Sequence, residues 1–367
     1  MSRALIIGGG LAGGAAAARL ASLGQPPLLL EREEGPHHKI CGEFLSVEAG
    51  STLAGLGFDV TRLGGARIDT MRLHAGHRSA AAQLPFVATG LTRHSLDDAL
   101  LDHATRLGAD VQRGTSVRHI ANGRAITSQG EAPAGPLLLA TGKHDLRGQP
   151  RNAAGTINDL IGFKQFFRAP AALRTALAGA VEITLFKGGY AGLQSVENGR
   201  LNLCLLISRA RFRELGGSWE TLLATLLREP GLAPLAEAEA LLPRPISIGA
   251  VPYGFLARPS ADAGLYRLGD QAAVIPSFCG DGMAMALHSG RLAANMLAAG
   301  AAPAAYQARL RRDVARQVRL ATTLQRLSET RLGRFALIAG LTAVPAALTT
   351  LARWTRVNDA ALARVQA

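Results

Sequence analysis

Two short segments of the chain hold residue types whose spacing could do chemistry. The first is Gly8-Gly9-Gly10-Leu11-Ala12-Gly13, a G-x-G-x-x-G spacing between an apolar run and an Ala-rich one. Gly8 would allow a tight strand-to-helix turn, Gly10 would let the backbone approach a pyrophosphate, and Gly13 would let the helix lie close on the strand. The helix N-terminus would favour the phosphate charge. Glu31 follows Gly13 by 18 residues, beside Arg32; a carboxylate there can accept hydrogen bonds from both hydroxyls of a ribose. The second segment is Lys39-Ile40-Cys41-Gly42-Glu43. Its thiol and carboxylate, together with Asp281 far along the chain, are candidate catalytic groups, because such groups beside a reacting ring can move protons. The alternatives are a small buried thiol and solvated loop acids. His37 and His38 could act as acid and base, but a polar loop is the reading favoured for them. No His, Asp or Glu grouping has metal-ligand spacing.

The elements that must position these residues begin with a β-turn-α-β order: strand Arg3 to Gly8, helix Gly13 to Leu23, strand Pro27 to Glu31. This is the start of a parallel α/β sheet. A helix follows over Arg93 to Leu107, then a strand over Asp110 to Ile120 and a short buried one over Leu137 to Ala140. From Ile161 to about Val251 the texture changes to strand-like runs, including Val181 to Phe186 and Leu201 to Ile207, with a helix around Trp219 to Leu227. Tyr266 to Gly269 returns to a buried strand and Gly282 to Leu297 is helical. The organisation expected is a dinucleotide-binding domain over 1–160 and 260–300, with 45–90 contributing partly to the substrate side. An inserted antiparallel-sheet substrate domain would cover 161–259, and C-terminal helices 301–367.

The segment from Tyr266 to Leu287, containing Gly269-Asp270 and Pro276-Ser-Phe-Cys-Gly280-Asp281-Gly282-Met283, resembles the second flavin motif of the superfamily of aromatic hydroxylases (p-hydroxybenzoate hydroxylase-like) and geranylgeranyl reductases. The resemblance implies FAD, with Asp270 on the ribityl chain and Pro276, Gly280 and Gly282 against the isoalloxazine. The helix beginning near Met283 would aim its positive end at charge developing on the reduced ring. Arg93-His-Ser-Leu-Asp-Asp-Ala-Leu-Leu is similar to the family's Arg-led helix, which would bring Arg93 to the cofactor and the backbone around Val117 to the adenine. Thr141-Gly142 stands where hydroxylases of the family have Asp-Gly, a departure that bears on how NADPH docks. Three details look like the reductase branch: Cys41-Gly42-Glu43, His288-Ser-Gly-Arg, and Gly189-Tyr-Ala-Gly-Leu at the place of a Gly-Tyr-x-Trp-x-Phe-Pro substrate motif. The last is incomplete, since Gly192 replaces the Trp. The Trp-x-Trp-x-Ile-Pro marker of halogenases on this scaffold is missing.

The resemblance implies an FAD-dependent oxidoreductase of a small lipophilic substrate, with NAD(P)H as a transient reductant because no second dinucleotide fingerprint occurs. Two reactions compete: hydroxylation of a lipophilic aromatic or polyketide-type molecule, slightly favoured by the size of that branch, and reduction or formation of carbon–carbon double bonds. A catalytically silent flavin-binding protein is the third reading.

Composition bounds these expectations. Hydrophobic residues make up 48% and charged ones 18%, which excludes disorder. The net charge of +13 concentrates in an arginine-rich helical stretch from Arg309 to Arg334 that carries no base-stacking aromatics, so nucleic acid is not the expected partner. An uncharged segment, Phe335 to Leu351, follows; it is short for a bilayer span and interrupted by Pro345. Interfacial membrane contact and a helix pair packed on the body are its two readings. Cys41, Cys204 and Cys279 form no C-x-x-C pair and the start of the chain shows no leader pattern, so an unexported protein in a reducing cytoplasm is expected, with a peripheral place on the inner membrane face as the alternative.

Overall fold

The computed structural model describes residues 2–259, 264–343 and 345–366. A five-stranded parallel sheet runs in the order Leu265–Arg267, Leu137–Leu139, Leu5–Ile7, Leu28–Leu30, Asp110–Gln112. Its central strands are unbroken apolar triplets buried on both faces, the pattern that a parallel sheet covered by helices requires. The helices Leu11–Ser22, Arg93–Arg106 and Gly282–Ala298 lie against one another beneath it. Small residues set that spacing: a Cβ on Gly290 would stand 2.2 Å from the Ala12 carbonyl oxygen, so the helices Leu11–Ser22 and Gly282–Ala298 touch backbone to backbone.

The strand expected over Asp110 to Ile120 is two strands in different sheets. Asp110–Gln112 closes the parallel sheet, Gly114 turns the chain at φ +69°, and Val117–Ala121 opens a three-stranded antiparallel sheet with Arg124–Thr127 and Gly130–Glu131.

The second large sheet has nine strands and is mixed, where an antiparallel sheet was expected. Leu160–Arg168, Leu201–Ser208, Gly189–Ser195 and Gly179–Phe186 pair antiparallel in that spatial order, but Gly179–Phe186 pairs parallel with Ala66–Ala75. The parallel join arises because Ala66–Ala75 and its hairpin mate Arg78–Gly90 come from the N-terminal half and add to the edge of the later strands. One face of this sheet is covered by the helix Trp219–Leu226 and its neighbours. The other face, with Val181, Ile183, Tyr190 and Leu206, looks back toward the parallel sheet.

The C-terminal region is helical. Pro303–Glu329 packs along Gly282–Ala298, and Arg331–Ala343 and Pro345–Trp354 lie over the hairpin Ala66–Gly90. Among the described residues no helix is long and apolar enough to cross a membrane.

Candidate flavin site

The glycine turn is built as its spacing predicts. Gly8 has φ +107° and a Cβ there would stand 2.6 Å from the Ala140 oxygen, while one on Gly13 would stand 1.9 Å from the Gly8 oxygen. Gly10 differs: its absent Cβ faces Arg93 Nη2 at 3.2 Å and Lys39 Nζ at 3.9 Å, the ends of two flexible cations. Both cations are anchored on Asp97, which accepts from Arg93 (2.5 and 2.7 Å) and Lys39 (2.6 Å). Burial raises the Asp97 carboxyl, but the two cations outweigh it and hold the group below the usual carboxylate range. Burial likewise works against the Arg93 charge, and Asp97 outweighs it. Glu31 is buried at the mouth of the turn and accepts from the Gly9 N–H at 2.6 Å and the Glu33 N–H at 3.0 Å. Arg32 points to solvent and pairs with Glu33. Thr115 donates its N–H to the Glu31 main-chain carbonyl, which ties the stretch leading to Val117 to the end of the second strand, though Val117 does not line the cleft.

From this turn a cleft of about 1390 Å³, partly open to solvent, runs between the two large sheets. Gly142, Lys143, Asp270, Gly280, Gly282 and Met283 line its first part. Thr141 donates to the His144 oxygen at 2.8 Å, and Gly142 has φ +63° and accepts from Gln271 at 2.8 Å. Ser289 accepts the Gly269 N–H at 2.8 Å and so pins the Gly-Asp turn to the helix Gly282–Ala298. Pro276 leads into a short 3-10 turn that ends on Gly280 at φ +68°, where a Cβ would meet Phe44 at 2.9 Å. Lys143 is half-buried; desolvation opposes its charge, and Asp270 restores it and raises its pKa.

The far part of the cleft is apolar, walled by Met71, Val181, Ile183, Leu206, Val274 and Phe278. Its polar end is a cluster of hydroxyls: Ser277 donates to Tyr253 at 3.3 Å and stands beside Tyr190. Burial pushes both phenols above their ordinary value, so they remain protonated donors. Cys204 is buried and lines this chamber, and burial pushes its thiol up to about 12.

Residues 1–133 match the family described as FAD binding domain. The chain is an FAD-dependent oxidoreductase. It is 25% identical over 326 residues to the menaquinone reductase of Mycolicibacterium smegmatis, covering 81% of this chain and 76% of that one. In fold it is similar to flavin-dependent brominase Bmp2 (TM-score 0.78, 17% identity, 100% of this chain and 97% of that one). It is also similar to a geranylgeranyl bacteriochlorophyll reductase-like protein from Thermoplasma acidophilum (TM-score 0.73, 16% identity, 99% and 95%). The superfamily resemblance read from the motifs thus holds at the level of fold and cofactor.

The cradle fits that cofactor. Gly10 with Lys39 and Arg93 would take the pyrophosphate, Glu31 the ribose, Asp270 the ribityl chain, and Gly280 and Gly282 the ring edge; bound FAD would supply hydride chemistry there.

Of the three candidate catalytic groups of this flavoprotein, Cys41 lines the cleft half-buried, and its sulfur accepts the Glu43 N–H at 3.3 Å. Glu43 adopts φ +60°, is fully buried, and turns its carboxylate away to pair with Lys164, which is equally buried. It also accepts the Arg93 N–H at 3.0 Å. Burial raises the Glu43 carboxyl, against the pull of Lys164. Asp281 does not line the cleft. Its carboxylate accepts from Gln317 at 3.1 Å, the Val357 N–H at 3.1 Å and Arg356 at 3.4 Å, so it latches the C-terminal segment to the ring-side turn. Burial pushes it up to about 7, with Arg356 opposing. His38 stacks between His94 and Phe166, and burial with nearby Lys164 lowers it to about 4; like His37 it is off the cleft.

Sequence reasoning missed Lys39, Lys143, Lys164, Gln194, Asn202, Tyr253, Ser277 and Arg356. Gln194 donates to the Glu43 oxygen and Asn202 to the Gly42 oxygen, each at 2.9 Å. Lys164 carried a legible signal: a cation in the middle of a largely apolar strand, Leu-Ile-Gly-Phe-Lys-Gln-Phe-Phe-Arg, whose only other cation is at its exposed end, has to find a buried partner.

Proposed function

We propose that this oxidoreductase reduces a carbon–carbon double bond in a lipophilic, isoprenoid-type substrate, with NAD(P)H as a reductant that visits the cofactor transiently. The observation that carries the reading is Cys41-Gly42-Glu43, the segment similar to the reductase branch, clamped by Gln194, Asn202 and Lys164 as one wall of a chamber whose far part is apolar apart from one cluster of hydroxyls. The menaquinone reductase relative supports the same substrate class.

In this reading the chain's residues divide the work. The apolar wall excludes water from the reacting carbons. Tyr253 and Ser277 hold a polar end of the substrate, so that its double bond lies over the ring. Bound FAD, once reduced by NAD(P)H, would supply the hydride for one alkene carbon. Cys41 gives its proton to the other carbon, and the thiolate takes a proton back from solvent at the open mouth. Glu43 and Lys164 act through position: they hold the left-handed turn that presents Cys41 to the chamber.

The test is anaerobic incubation of the holoenzyme with NADH or NADPH and a prenylated quinone, followed by mass spectrometry. A gain of two hydrogens without oxygen supports the proposal, and Cys41→Ala should then slow turnover about 100-fold at unchanged FAD content. An oxygen-dependent gain of one oxygen atom overturns it in favour of the hydroxylase reading of a lipophilic aromatic or polyketide-type substrate. Yellow protein that neither donor reduces would point to a flavin-binding accessory protein.

A further inference from the structure

The C-terminal helices carry a surface that the chemistry of the cleft does not use. Among the described residues the four most exposed large hydrophobic side chains are Leu332 (78%), Trp354 (54%), Phe335 (53%) and Leu327 (51%), all within this region. Charge accompanies them. On the helix Pro303–Glu329, Arg312, Arg316, Arg319 and Arg326 fall at helical spacing on one solvent-facing stripe, and Arg353 is exposed beside Trp354. Within the stripe Arg326 also donates to the Gly155 oxygen at 2.8 Å; off it, Arg311 donates to the oxygens of Leu256 and Ala257, and Arg309 pairs with Asp313. Asp313 is also taken up by Arg364 and His288, so it leaves the stripe positive.

The same helices roof the substrate chamber. Leu337 and Ala347 pack against the apolar cluster that holds Leu73, Ala80 and Leu84 of the hairpin Ala66–Gly90, and Thr349 donates to the Gln83 main-chain oxygen at 3.3 Å. A surface cleft lined by Arg312, Arg316, Arg353, Trp354, Arg364 and Val47, with Glu48, Asp313 and Asp359 at its acidic points, reaches Arg356. Arg356 also lines the flavin cleft, where its guanidinium lies over Phe44 and Phe86 at 5.4 and 4.7 Å from the ring centroids.

We propose that this surface docks on an anionic lipid bilayer, with Leu332, Phe335 and Trp354 entering the headgroup boundary and the arginine stripe meeting lipid phosphates. The substrate then passes from the lipid along the cleft by Arg356 into the chamber. Apolar side chains flanked by arginines on short helices that cannot span are the pattern of an interfacial anchor. The purpose assigned to the docking rests on a lipophilic substrate; the docking itself is measured without one.

The holoenzyme is floated with vesicles of phosphatidylglycerol and phosphatidylcholine, or of phosphatidylcholine alone, at low and high salt. Binding is expected to the anionic vesicles and to weaken with salt. The double variant Leu332→Asp/Phe335→Asp should bind at least about tenfold more weakly, with FAD content and melting temperature unchanged. Arg316→Ser and Arg319→Ser should each weaken binding about fivefold. On substrate dissolved in detergent the double variant keeps its rate, and on substrate embedded in vesicles it loses it. No binding to anionic vesicles at low salt, or binding that ignores all these changes, overturns the proposal. So does a concentration-dependent dimer that Phe335→Asp disrupts, because the patch would then cover a second copy of the chain. Vesicle binding by an enzyme that inserts oxygen overturns only the reaction proposed above.

Discussion

The glycine-turn wall of the flavin cleft and the Cys41–Glu43 wall opposite it use different means to the same end. The first excludes side chains: Gly8, Gly13 and Gly280 occupy places where a Cβ would strike backbone or a ring within 3 Å. The second is packed with them, and holds a left-handed glutamate by a fully buried ion pair and amide donors from the substrate sheet. A wall of backbone tolerates no bulk but depends on no distant partner. A wall of side chains depends on every partner being present, since removing one strands the others away from water.

The largest effect should come from Gly10→Val on the first wall. The added atoms meet only the flexible ends of Arg93 and Lys39, so the protein should fold, but the site for the pyrophosphate is filled. The expected product is folded, colourless protein, checked by absorbance and circular dichroism; stoichiometric FAD in it would refute the part given to this turn. Gly13→Val, whose Cβ would stand 1.9 Å from the Gly8 oxygen, should instead fail to fold.

On the second wall, Lys164→Met leaves the Glu43 carboxylate buried without its cation, a loss of about 3–5 kcal/mol at neutral pH. The sign with pH follows from the raised Glu43 carboxyl. A group whose pKa is higher folded than unfolded contributes most below its unfolded value and loses that contribution as pH rises. Urea unfolding of Lys164→Met should therefore show a deficit against wild type that is larger at pH 8 than at pH 5. Glu43→Gln added to it should recover part of the loss, because the amide needs no counter-ion. Equal deficits at both pH values would mean that packing, and not charge, is what Lys164 provides.

Legibility in the sequence divides along the same line. Gly8, Gly10, Gly13 and Glu31 could be read because their constraint is local: a strand, a turn and a helix within one stretch of chain. The apolar triplets of the parallel sheet were legible for the same reason. Lys164 meets Glu43 across 121 positions, and Asp281 meets Gln317 across 36 and Val357 across 76; no local pattern encodes such pairs. Asp281 read as a candidate catalytic group because a carboxylate beside the reacting ring can move protons, yet its helix takes no side-chain cap from it and its oxygens go to the C-terminal segment. The parallel join of Ala66–Ala75 was hidden likewise, since the chain does not announce which sheet edge an early hairpin will find.

Asp281 latches the ring-side turn to the C-terminal segment through Val357 and Arg356. Its carboxyl is raised from the ordinary 3.8 to about 7, so wild type should lose stability relative to Asp281→Asn as pH rises from about 4 to about 7, by ~2–4 kcal/mol. Melting curves of both proteins at pH 4.5 and 7.5 measure it. A difference between them that does not change with pH would mean that Gln317, Val357 and Arg356 already compensate the buried charge.

The smallest expected effect lies in the chamber itself. Tyr253→Phe or Ser277→Ala removes one hydroxyl from the Tyr190–Ser277–Tyr253 cluster and leaves its apolar frame. One neutral hydrogen bond to a substrate's polar end is worth about 0.5–1.5 kcal/mol, so KM should rise roughly twofold to tenfold at unchanged kcat. The double variant should cost little more than either single one, because the two hydroxyls act as one donor array. A fall in kcat with KM unchanged would make the cluster, rather than Cys41, the source of the proton, and would move the chemistry from the side-chain wall to the far end of the chamber.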